Sequence, residues 1–310
     1  MSKPSPLAAS IPVILVALLA LAAAAPTAPA QDVSGGPVIR SRVFVVNLFV
    51  TAAKGKSYAR DLTRDDFAIY ENGVRQEIKY FNNLSQSRDL PLTIALLIDT
   101  SGSVADKLSH EVATASAFCK HIVRPGKDMV TVMEFHSDVI LVQDFTDDID
   151  RMQKSLSKLR PGGNTSLYDA VYLACEEKLK NEAGRKIIVV LSDGEDTASK
   201  TSMDAAIKVA QKNDVLIYGL GVRSMNYGAD FRALERFCRE TGGLFFSPKA
   251  SFESLKKTFD AIMEDINHQY NIAYEPKDQT RDGTYRDIKV TCLRKGLKLQ
   301  YRQGYFAPED

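Results

Sequence analysis

The chain is poor in the groups that most often announce a function. It has four cysteines, four histidines and no tryptophan in 310 residues, and its formal net charge is only +1. A near-zero balance without long charge runs excludes a chain built to bind nucleic acid or an acidic polymer. The cysteines, Cys119, Cys175, Cys238 and Cys292, stand far apart and form no CxxC pair, which excludes a zinc knuckle. They allow three pairings, and the sequence selects none of these over buried free thiols. A G-x-S-x-G elbow is missing, and no Ser, His and Asp trio has positional support. The missing tryptophan carries no inference.

What is present begins with an address. Lys3 precedes the continuous apolar run Ile11–Ala25, and Ala28-Pro29-Ala30 stands before Gln31. This is the layout of a secretory signal peptide over 1–30, with an uncleaved anchor as the alternative. The run, at about 15 residues, is short of the roughly 20 a membrane span needs. The expectation is a secreted, periplasmic or cell-envelope protein with no stable span after the signal is removed. No cysteine lies near the junction to carry a lipid.

Two textures follow. Residues 38–50 and 67–82 are rich in β-branched and aromatic residues, and Asn72-Gly73 between FAIY and QEIKYF predicts a hairpin. The segment AAKGKSY reads as a turn. From about 91 to 268 apolar strands alternate with helical patterns: strands at 93–99, 128–145 (a pair), 186–193, 215–222 and 244–247. The helices fall near 105–123, 147–159, 166–181, 202–213, 230–241 and 251–268. IALLI and IIVVL do not alternate polar with apolar, as expected where both faces of a parallel sheet are covered. The fold class is α/β, with a doubly wound and mostly parallel sheet. Strands return in YNIAYEP, YRDIKVTCL and LKLQYRQGYF. The expected division is an N-terminal β unit (31–90), an α/β domain (91–268) and C-terminal strands (269–310). Those last strands are expected to pack with 38–82 as a small β-sandwich, because hairpins alone are too small to stand in water.

Open α/β sheets place ligand sites at the carboxyl ends of strands, near a switch in strand order. Three loops expected there are rich in oxygen donors: Asp99-Thr100-Ser101-Gly102-Ser103, Gly162-Gly163-Asn164-Thr165-Ser166 and Ser192-Asp193-Gly194-Glu195-Asp196. Two aspartates with several hydroxyls suit a hard divalent cation, and no His or Cys there invites a softer one. Neutral hydroxyl ligands leave such an ion short of charge and open to another carboxylate. The small Gly102, Gly163 and Gly194 would let the loops approach. Alternatives for LLIDTSGSV are a helix cap, an aspartic protease turn or a phosphotransfer aspartate. Ser101 intrudes before the glycine of the protease turn and stands where a phosphotransferase has its second Asp. Asp169 is read as support for its helix dipole, Glu195 and Asp196 as neighbours of the site, and His136 as a loop residue near the rim. His110, His121 and His268 read as surface or packing residues.

D-x-S-x-S after an apolar strand, a threonine before a helix, and a strand ending in S-D-G together resemble the von Willebrand factor type A domain. The resemblance runs over about 93–268. It implies a metal-ion-dependent adhesion site in which Asp99, Ser101, Ser103, Thr165 and Asp193 hold Mg²⁺ (or Mn²⁺, with Ca²⁺ admissible), the aspartates directly or through water, and water or a partner's Asp or Glu fills the sixth position. GGNTSLYDAV, the stretch VTAAKGKSYARDLTRDDFAIYENGVRQEIKYF and the terminal YRQGYF are similar to bacterial exported proteins related to that family, which have no defined activity to carry over. The expected function is an exported, cation-dependent, non-enzymatic protein-binding or adhesion module. The alternatives are an envelope scaffold with a purely structural metal, and a metal-dependent hydrolase, which lacks an evident general base.

Overall fold

The computed structural model describes residues 43–86, 90–221, 230–249 and 251–309. The expected export signal, the linker at 31–36 and residues 38–42 lie outside these. The first flank carries β1 (Val46–Lys54), β2 (Ser57–Tyr58), β3 (Phe67–Glu71), β4 (Val74–Gln76) and β5 (Ile78–Asn83). The central segment runs β6 (Leu92–Asp99), α1 (Leu108–Ile122), β7 (Met129–Phe135), β8 (Val139–Thr146), α2 (Ile149–Leu156), α3 (Leu167–Leu173), β9 (Arg185–Ser192), α4 (Met203–Lys212), β10 (Val215–Gly221), α5 (Arg232–Thr241), β11 (Phe245–Phe246) and α6 (Phe252–Asn267). The second flank adds β12 (Tyr270–Tyr274), β13 (Tyr285–Cys292), β14 (Lys298–Gln300) and β15 (Gly304–Phe306).

The central sheet has the order β11-β10-β9-β6-β7-β8, parallel except for β8. Every residue of β6 is buried, and alternate ones feed opposite faces. Ile94, Leu96 and Ile98 pack with α1, α2 and α6, whereas Ala95 and Leu97 pack with α3, α4 and α5. That two-sided burial is why the strand sequence is continuously apolar. Side-chain caps start several helices: Asp148 accepts from Arg151 N–H before α2, Ser202 from Ala205 before α4, and Ser251 from Ser254 before α6. After β6 the chain builds β7 and β8 on one side, then crosses to lay β9 on the other. The switch in strand order therefore falls between β6 and β9, at whose carboxyl ends stand Asp99 and Ser192-Asp193.

The two flanks pair with each other. β1 lies antiparallel to β12, from Val46 opposite Tyr274 to Val50 opposite Tyr270, and β3 lies antiparallel to β13. The resulting sheets, β14-β1-β12-β5 and β15-β13-β3-β4, enclose Leu48, Val50, Ile69, Tyr270, Ile272, Ile288 and Val290. Asn72 and Gly73 both take positive φ and turn β3 into β4, as the Asn-Gly pair predicts. Three flank details differ from the sequence expectation. β1 runs on to Lys54 through what read as a turn, because Thr51–Ala53 find a partner in β14. QEIKYF divides at Glu77, with Gln76 in one sheet and Ile78 in the other. LKLQYRQGYF likewise divides between β14 and β15.

All four cysteines are free thiols; three are buried and Cys292 is half-buried. Burial pushes the Cys119 thiol up to about 12 and raises Cys175 and Cys238 further, which keeps them unreactive. Among the described residues no helix is long and apolar enough to cross a membrane.

Candidate metal centre

The rim is assembled from three chain reversals. β6 ends at Asp99, and the chain turns through a 3₁₀ segment at Gly102–Val104 before α1. This places Ser101 and Ser103 beside the end of β9. Ser103 Oγ donates to Asp193 Oδ2 at 2.7 Å, and the hydroxyls of Ser101 and Ser103 are 3.1 Å apart. Asp99 accepts from the Ser101 N–H at 2.9 Å and from Ser192 Oγ at 2.6 Å. Asp99, Ser101, Ser103 and Asp193 thus form one hydrogen-bonded group. Thr165 joins through its loop: Gly162 N–H donates to Thr100 O at 2.7 Å, and Gly102 N–H to Gly163 O at 3.1 Å. Thr165 is itself clamped from the third loop, its N–H donating to Thr197 Oγ1 while its carbonyl accepts from the N–H groups of Thr197 and Ala198.

Asp99 and Asp193 are fully buried, Ser101 and Thr165 nearly so. Burial raises the Asp99 carboxyl to about 6, against the hydrogen bonds from Ser101 and Ser192 that lower it; the charge of Asp193 adds a smaller upward push. Two close carboxylates among hydroxyls leave this corner electron-rich. Among the described residues no group of three or more His, Cys, Asp or Glu side chains forms a metal cluster. Any cation here would have to take hydroxyl oxygens to complete its shell, and an all-oxygen donor set of that kind suits Mg²⁺, Mn²⁺ or Ca²⁺.

The sequence profile of the von Willebrand factor type A domain matches residues 93–261, more than half of the chain. The chain belongs to the von Willebrand factor type A domain family. An uncharacterized protein of Borreliella burgdorferi is 24% identical over 221 residues, covering 67% of this chain and 64% of its own length, so the chain spans less than two thirds of that relative. Among solved structures, proximal thread matrix protein 1 from the mussel byssus is similar with a TM-score of 0.52 at 17% identity, covering 64% of this chain and 51% of its own. A second structure of that mussel protein, described as having a zinc-occupied MIDAS motif, has a TM-score of 0.51 at 18% identity and covers 61% and 49%. At these identities the likeness shows the fold alone.

Within the type A domain Asp169 and His136 stand as their sequence reading has them, with hydrogen bonds the sequence does not show. Asp169 stands in the first turn of α3 and also reaches across to accept from the N–H groups of Lys200 and Thr201. Asp196 accepts from the Tyr168 N–H in the first turn of α3 and from Ser199 Oγ. His136 Nδ1 accepts from the Asp138 N–H within its own turn. Sequence reasoning missed Ser192, Thr197 and Ser137, whose hydroxyls position Asp99, Thr165 and the Asn164 N–H. It also missed Glu111, an acidic residue on the buried face of α1. Its spacing from Leu108, Ala115 and Phe118 is the readable signal, since a charge on an apolar stripe is out of place.

Proposed function

We propose that the chain is an exported protein-binding module that holds a divalent cation, Mg²⁺ foremost, in Asp99, Ser101, Ser103, Thr165 and Asp193. The module is residues 91–268, and the described flank strands within 43–86 and 269–309 pair as a separate β unit. The observation that carries the reading is the convergence of Ser101, Ser103 and Asp193 within hydrogen-bond distance, with Asp99 alongside. When bound, the cation supplies an electrophilic centre for a carboxylate from a partner protein. Ser101, Ser103 and Thr165 offer oxygens without charge, and Asp99 and Asp193 provide the only carboxylates of the set. Ser192 and the Ser101 N–H orient the Asp99 carboxylate. That the similar mussel protein is described with a zinc-occupied MIDAS motif supports the metal-binding reading.

The backbone bonds between the three loops already hold the rim together, which favours the binding role over a cation needed only to fold these loops. A hydrolase would need a general base beside the metal, and the ring of His136 is turned to its own loop.

The test is affinity capture from native envelope extract on immobilised protein, in Mg²⁺ and in chelator, beside the Asp99→Ala variant. Partners are expected to be retained in Mg²⁺ and lost in both other arms. Capture indifferent to chelator and to Asp99→Ala sinks the reading.

A further inference from the structure

Glu111 is fully buried on α1, and neither of its carboxylate oxygens has a hydrogen-bond partner. A buried carboxylate without a donor costs several times what a satisfied one does, and proteins seldom keep one without compensation. Its surroundings make the expense greater. α1 starts at Leu108, shortly after the turn that carries Ser101 and Ser103, and Glu111 sits in its first turn on the buried side. Burial raises its carboxyl to about 8; the charge of Lys107 offsets part of this, and those of Asp99, Asp193 and Asp106 add to it. The buried Lys107, one turn earlier, favours the anion in part, and a divalent cation held between Asp99 and Asp193 would add to that.

The geometry points to Glu111 as a positioning residue of the metal centre, a buried, unpartnered carboxyl at the start of α1 that strengthens the cradle's hold on a divalent cation. The inference rests on the cation-binding reading above. It also answers a difficulty in that reading: a cradle with two carboxylates and three neutral hydroxyls binds Mg²⁺ weakly. Charge supplied from α1 adds affinity without occupying a ligand position, so the ion stays open to a partner. Outer groups of this kind are commonly worth ten- to hundredfold in metal affinity.

The measurement is calorimetric titration of the full chain with MgCl₂ alone, together with melting in Mg²⁺ and in chelator. Glu111→Gln keeps the volume and removes the charge; Glu111→Leu removes the polar group as well. Both variants are expected to bind Mg²⁺ about ten- to hundredfold more weakly. In chelator at pH 9, above the value to which burial raises the carboxyl, both are expected to melt at or above the wild-type midpoint, because a buried charge with no hydrogen-bond partner has gone. This opposition of signs separates a role toward the cation from mere packing, which would lower stability in both conditions. Equal Mg²⁺ affinity in wild type and Glu111→Gln overturns the assignment and leaves the cradle standing. So does a midpoint that drops equally with and without Mg²⁺. A wild-type chain that takes up no Mg²⁺ overturns the cradle itself.

Discussion

At the scale of single residues, the three glycines of the cradle loops are not equally constrained, and the two tight ones press on neighbouring segments rather than on each other's loops. A Cβ on Gly194, which has φ +88°, would lie 2.4 Å from the carbonyl oxygen of Asp230. One on Gly163, at φ +76°, would meet Ser137 Oγ at 2.8 Å. Gly102 differs: a Cβ there has its nearest neighbour, Gly163 O, at 3.7 Å, an ordinary contact. Gly194→Ala is therefore expected to cost about 2 kcal/mol or more, from left-handed strain and collision together. Gly102→Ala is expected to stay within about 0.5 kcal/mol, as an unhindered substitution does. Urea denaturation of the two variants in chelator checks this, and equal losses would refute the distinction. Spacing along the chain shows that small residues lie near a site, but not which Cβ would face a backbone from another loop. Glu111 was legible only in part: its charge on an apolar stripe is visible in the sequence, whereas its lack of a hydrogen-bond partner is a property of the packed core.

At the scale of elements, the central domain was legible almost throughout, because its strands are two-sided and its helices carry regular apolar stripes and capping residues. The flanks were less so. Short strands that change sheet, at Glu77 and again between Gln300 and Gly304, read as single runs, since an unbroken β pattern does not reveal where its partner changes. What ties the start of β6 to the loop before β7 is Asp128. Its carboxylate accepts from the N–H groups of Leu92 and Arg124 and from the Arg124 guanidinium, at 2.6 to 2.9 Å. Burial pushes this carboxyl upward, and those hydrogen bonds with the Arg124 charge more than reverse it, leaving it below its ordinary value. A depressed folded value means that the stabilisation is complete above the unfolded value, about 4, and is lost as pH falls through the folded one. Asp128→Ala is expected to cost about 3 kcal/mol at neutral pH, the scale of a charge-assisted network that loses one partner. Acid titration of the denaturation midpoint should then fall less steeply below about pH 4 in the variant than in wild type. Parallel acid limbs would show that Asp128 does not carry this linkage.

At the scale of the whole molecule, the type A domain was legible because three separated motifs converge at one switch point, whereas the clamps from Ser192, Thr197 and Ser137 depend on loop geometry that no spacing encodes. The remaining question is whether the flank sandwich and the rim act on each other. The sandwich meets the central sheet at the amino ends of its strands. Arg302 donates to the carbonyls of Gln211 and Asn47 and pairs with Asp214, just before β10, at 2.8 Å. Gln300 donates to Gly243 O before β11, and Arg185, the first residue of β9, donates to Ile266 O and Gln269. Asp193 follows the opposite end of β9, a strand of eight residues. At about 3.3 Å per residue the two ends are roughly 25 Å apart, and contributions from sites so separated add within about 0.5 kcal/mol. A double-mutant cycle on Arg302→Ala and Asp193→Ala, followed by urea denaturation in chelator and repeated in Mg²⁺, is expected to show no coupling beyond that. Arg302→Ala should also leave the Mg²⁺-induced gain in stability intact while lowering the midpoint, since the bonds it removes join the sandwich to β10 and not to the rim. A coupling above about 1 kcal/mol would mean that β9 and β10 transmit strain from one end to the other. In that case, a partner bound at the cradle would be felt by the flanks.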